Sequence, residues 1–170
     1  MAASEEYRRR AALLVRAIPL VATETCFALK GGTAINLFVR DMPRLSVDID
    51  LTYLPVEDWG TSLAHINAAM KRVVERIRTG IRGARVTPAV LNTEKIVNKL
   101  FVEEVGVTIK IEVTPVLRGC VYDPETRSVS PAVEAQFGFA EMQVVSFADL
   151  YAGKLVGARP AASAGPVRRP

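Results

Sequence analysis

Asp48 and Asp50 stand two apart in the run Ser46-Val-Asp-Ile-Asp-Leu-Thr-Tyr53, which alternates apolar and polar residues as a strand with one buried face does. Side chains two apart on a strand leave the same face about 7 Å apart, so both carboxylates can converge on one pair of cations. Oxygen donors of this kind suit Mg²⁺ (or Mn²⁺), which keeps waters and takes its remaining ligands from substrate phosphates. Two such ions about 4 Å apart activate an attacking hydroxyl and stabilise the leaving oxygen of an in-line phosphoryl displacement. Glu112, on the polar side of a second alternating run, is a candidate third carboxylate. Gly31-Gly32-Thr33 precedes a helical pattern, and a glycine turn at a helix N-terminus offers free N–H groups and a positive dipole end to a triphosphate.

Each signal has an inert reading. Asp-x-Asp on an exposed strand face is more often simply solvated, Gly-Gly-Thr alone is more often a turn, and Glu112 near Lys110 also reads as a surface pair of little energetic consequence. The order shifts the balance: Gly-Gly-Thr, fourteen residues, Asp-Ile-Asp, then a distant strand glutamate. That order resembles the layout of polymerase-beta-type nucleotidyltransferases.

The elements that must position these residues follow from periodicity. Tyr7, Ala11, Leu14, Ile18 and Val21 mark an amphipathic helix from residue 5 to about 22. Cys26 to Lys30 is a short apolar run before the glycine turn, and residues 34–38 read as helix. In the run of residues 46–53, Ile49 and Leu51 point inward while Asp48, Asp50 and Thr52 point to solvent. Asp58 caps a helix that Gly80 ends. Strands are expected near 85–91, 95–103, 107–114 and 142–145, with a short helix over 131–137. Ser146-Phe-Ala-Asp149 has the form of a capping box opening a last helix to about 158.

Composition narrows the chemistry. A chain of 170 residues, 49% hydrophobic, suits one globular domain. No apolar run reaches membrane-span length and the N-terminus carries acids, so a cytoplasmic protein is expected. Arg159, Arg168 and Arg169 supply three of the four net positive charges, so basicity alone does not argue for nucleic acid. Two cysteines are too few for a disulfide framework, and the single histidine, His65, excludes multi-histidine metal sites and reads as a helical surface residue.

Four stretches resemble the AbiEii/AbiGii-type nucleotidyltransferase toxins of bacterial abortive-infection and toxin–antitoxin systems. They are Leu29-Lys-Gly-Gly-Thr-Ala34, Arg44-Leu-Ser-Val-Asp-Ile-Asp-Leu51, Ile109-Lys-Ile-Glu-Val113 with Arg118-Gly119 after it, and Val144-Val-Ser-Phe-Ala-Asp-Leu-Tyr-Ala-Gly-Lys154. The resemblance implies an α+β polymerase-beta-like core, a mixed twisted sheet flanked by helices. It implies metal-dependent transfer of a nucleoside monophosphate from an NTP, for some members onto tRNA ends, and a cognate antitoxin protein as partner. Carried over, Asp48, Asp50 and Glu112 match the metal-binding carboxylates. Lys30, Gly31, Gly32, Thr33 and Arg44 fall in the nucleotide-binding stretches, and Lys154 matches the basic residue of the late helix.

The chain departs from the family after that helix. Residues 1–158 form the expected nucleotidyltransferase core, whereas Arg159 to Pro170 has no apolar periodicity and is expected to be disordered. These residues admit a codon string that reads DRQHPRDLFDV one base later, matching the family's continuation and its late active-site aspartate. The expectation is a frameshifted, truncated member with poor transferase activity. Two alternatives stay open: an inactive remnant that binds nucleotide or antitoxin, and a small-molecule nucleotidyltransferase that adenylylates an antibiotic. Ser46, one alternation before Asp48, is also a candidate inhibitory phosphosite, since a phosphate there would place negative charge beside the metals and triphosphate.

Overall fold

The structure, a computed structural model, describes residues 2–39 and 48–151. Helix α1 (Ala2–Ala22) leads into β1 (Phe27–Lys30), a short α2 (Gly31–Ala34) continued by a π-helical segment (Ile35–Val39), and later β2 (Asp48–Tyr53). Then follow α3 (Trp59–Gly80), β3 (Arg85–Leu91), β4 (Ile96–Glu104), β5 (Val107–Arg118), β6 (Glu125–Ser128), α4 (Pro131–Phe137) and β7 (Glu141–Val144). The strands form one sheet in the order β3-β4-β5-β2-β1-β7-β6. β2 pairs parallel with β5 and β1 parallel with β7, while the other pairings are antiparallel. This is the α+β architecture with a helix-flanked mixed sheet.

Alternation decides the faces. Val107, Ile109, Ile111 and Val113 of β5, with Ile49 and Leu51 of β2, are buried. Helices α1 and α3 pack against the sheet and each other, contributing Leu14, Ile18 and Val21 from one and Ile66, Met70, Val73 and Ile77 from the other. The helical stripe of each matches the strand stripe it covers. Asp58 caps α3 by accepting from the Thr61 N–H at 2.9 Å. Among the described residues, no helix is long and apolar enough to cross a membrane.

Two strands differ from expectation. β5 runs four residues past Thr114, to Arg118. Pro115 has no N–H to donate, and the β2–β5 register shifts between Leu51 and Tyr53 instead of ending. β6 lacks any apolar periodicity because it is an edge strand exposed along most of its length, held by β7 alone.

Glu24, buried in the turn after α1, fastens that turn to α3. Its carboxylate accepts from Arg72 Nε and Nη2 at 2.9 and 2.7 Å, and pairs with Arg76. The Arg72 hydrogen bond outweighs burial and, with Arg76, holds the carboxyl below its ordinary range. Glu24→Gln is therefore expected to destabilise the fold at pH 7 by about 1–3 kcal/mol. The contribution is complete above the unfolded value of about 4.3 and is lost as pH falls through the depressed folded value. Urea unfolding of both proteins at pH 7 and in acid should show the gap closing downward.

Candidate functional site

The parallel register of β2 and β5 sets Asp50 opposite Glu112, and the flanking registers add Lys30 of β1 and Lys99 of β4 to the same cross-strand row. One step along, Asp48 lies opposite Lys110. Lys110 Nζ stands 3.3 Å from Asp48 Oδ2 and 3.0 Å from Glu112 Oε2, while Lys99 Nζ is 3.2 Å from Glu112 Oε1. Glu112 thus lies on a strand neighbouring the aspartates and shares their face, with both oxygens engaged by ammonium groups. Asp50 makes no ion pair among the described residues.

These contacts set the protonation equilibria. Burial pushes the Asp50 carboxyl up; Lys110 and Lys30 oppose that shift, and the Asp48 and Glu112 charges add to it. Burial also pushes Glu112 up, but its hydrogen bonds to Lys110 and Lys99 prevail and hold it low. The Glu112 hydrogen bond raises Lys110. Burial lowers Lys30, partly offset by Asp50 and Glu112.

The glycine turn sits directly on this row. Gly31 has φ +78°, and a Cβ there would lie 2.8 Å from Asp50 Oδ2, so both conformation and space call for glycine. The buried Thr33 hydroxyl donates to the Asp48 carbonyl oxygen at 2.5 Å, fastening the turn to β2 at the other aspartate.

A cavity of about 520 Å³ opens beside the turn, with Gly31, Asp50, Thr52 and Thr114 among its polar lining and Leu117 and Leu150 among its apolar lining. Asp48 and Glu112 flank it on the same sheet face. Thr52 was expected at the solvent-facing side of its strand, yet it is only 7% exposed. The extension of β5 and the helix beginning at 147 border the cavity into which its face of the strand opens.

Two further residues hold those borders. Arg118 donates from Nη1 to Ser62 Oγ at 2.8 Å and lies 5.1 Å over the Trp59 ring. Asp149 caps the last helix with Ser146 and also accepts from the N–H groups of Val121 and Tyr122, each at 3.2 Å. Burial raises the Asp149 carboxyl, but Ser146 and the two N–H groups outweigh it and hold it low.

The alternation that found Glu112 also puts Lys110 and Thr114 on its face; only the pairing register shows that Lys110 reaches Asp48. His65 sits on the exposed side of α3, its Nδ1 3.1 Å from Glu57 Oε2. Arg44, Ser46, Lys154 and the 159–170 tail lie outside the described residues.

Among the described residues, no three of His, Cys, Asp and Glu form a ready-made metal cage. The all-oxygen pair of Asp48 and Asp50, the second without an ion-pair partner among the described residues, fits a hard divalent cation that draws its other ligands from water and phosphate.

A mixed sheet carrying paired aspartates beside a glycine turn is the arrangement that the resemblance to nucleotidyltransferases implies. The fold is similar to that of MenT4, the nucleotidyltransferase toxin Rv2826c from Mycobacterium tuberculosis H37Rv, with TM-score 0.60 and 19% identity over 91% of this chain and 52% of that one. The chain thus spans about half the length of that structure. A search of curated proteins finds no match. The model of the nucleotidyl transferase AbiEii toxin family, type IV toxin–antitoxin system, matches residues 12–166, and the chain belongs to this family.

Gly31→Ala is expected to cost about 1–2 kcal/mol for the left-handed backbone alone. The contact with Asp50 adds to that cost, so thermal unfolding should show a larger loss than at Gly83, which also has positive φ but no atom within 4 Å of its Cβ position.

Proposed function

We propose that this domain transfers a nucleoside monophosphate from an NTP to an RNA acceptor of the tRNA type, as the toxin of a pair with a cognate antitoxin. The single observation carrying the reading is the placement of Asp48 and Asp50 on one open sheet face, with the Gly31 backbone against Asp50 and a nucleotide-sized cavity alongside. Asp48 and Asp50 hold Mg²⁺ or Mn²⁺ in this reading, with Glu112 as the third carboxylate on the adjoining strand. When bound, the metal supplies charge neutralisation at the phosphates and activation of the acceptor hydroxyl.

The chain's own groups do the rest. Lys30 and the backbone of Gly31 and Gly32 receive the phosphates, joined by Arg44 and Lys154. Thr33 keeps the turn on the Asp48 strand. Lys110 and Lys99 hold the carboxylate row together. The acceptor approaches along the open sheet face.

The test is transfer from radiolabelled NTPs to total RNA. Asp48→Asn and Asp50→Asn should each lower the rate about 10²-fold or more while unfolding normally, and EDTA should abolish transfer. Wild-type transfer by Asp50→Asn would sink the assignment of the reacting centre. Label appearing on an aminoglycoside but never on RNA would replace the acceptor.

A further inference from the structure

Thr52 is only 7% exposed and lines the cavity. It follows Asp50 on the same strand face, about 7 Å further along. Thr114, two residues beyond Glu112 on β5, lines the same stretch of the cavity. Beyond them the lining sets Leu117, Val145 and Leu150 beside Arg118 and Asp149. The cavity therefore passes from a carboxylate and a glycine turn, through two hydroxyls, to a mixed wall of aliphatic and charged side chains.

We infer that Thr52, with Thr114 beside it, receives a ribose hydroxyl of the substrate nucleotide and makes this end of the cavity selective for ribonucleotides. The inference rests on the nucleotide reading of the site. Valine would suit this strand position better if packing alone mattered: it has the same shape, favours strands and brings no hydroxyl to desolvate. A hydroxyl lining a cavity can exchange its water for a polar group of what enters. The spacing from Asp50 to Thr52 is comparable to the reach from the α-phosphate to the 2′ and 3′ hydroxyls of one nucleotide. With the phosphates at the Gly31 turn, the sugar falls over the threonines and the base against Leu117 and Leu150.

The experiment is calorimetric titration of the 170-residue chain, with Mg²⁺ present, by the four ribonucleoside triphosphates and their 2′-deoxy and 3′-deoxy counterparts. The wild type should bind its preferred ribonucleotide about 3- to 10-fold tighter than one or both deoxy forms, the difference one neutral hydrogen bond makes. Thr52→Val should bind the ribonucleotide only as tightly as the deoxy form, while melting at the same or a higher temperature. Thr52→Ser should restore the preference. Equal wild-type affinity for ribo and deoxy forms, or an undiminished preference in Thr52→Val, would overturn the inference and leave the nucleotide reading standing. No binding of any nucleotide by the wild type would overturn both.

Discussion

The parallel pairing of β2 with β5 is the constraint on which the molecule turns, because it decides the core and the charged row in a single register. Ile49 and Leu51 lie beside Ile111 and Val113 on the buried face, while Asp48 and Asp50 lie beside Lys110 and Glu112 on the other. A slip of one residue would exchange the two sets, placing carboxylates under α1 and α3 and leucine in water. Hydrophobic burial therefore enforces the geometry of the polar face, which no interaction among the charges could enforce by itself. Partly exposed ion pairs are worth little individually, whereas each buried aliphatic side chain contributes about 1.5–3 kcal/mol.

Three carboxylates on one face repel one another, and Lys110 answers most of that repulsion by bridging Asp48 and Glu112. Lys99 takes the remaining Glu112 oxygen. Asp50 is left facing the cavity without such a partner among the described residues, and burial makes its charge the costliest of the three. The row is thus ion-paired where it meets β4 and β5, whereas at the glycine turn Lys30 stands opposite Asp50 without an ion pair among the described residues.

The faces of β2 and β5 were legible in the sequence because alternation needs only residue types at a spacing of two. The capping of α3 by Asp58 was legible for the same local reason. What lies across strands was not. That Lys110 reaches Asp48, or that Thr33 gives its hydroxyl to the Asp48 carbonyl, depends on a register between segments far apart in the chain. Thr52 looked solvent-facing because alternation says which side a residue takes and nothing of what later closes over it. β6 went unseen since an edge strand of Glu, Thr, Arg and Ser offers no apolar period to read.

The two margins of the sheet carry a consequence for association. β3 forms one margin with Pro88 in its middle and a register shift after Ala89, and β6 forms the other with the charged Glu125 and Arg127 along only four residues. A proline without an N–H, an irregular ladder and a short charged strand all oppose the addition of a foreign strand. Lateral growth into fibres or ribbons is thereby discouraged at either end. Association through the charged face, by contrast, is sensitive to ionic strength in a way that backbone pairing is not.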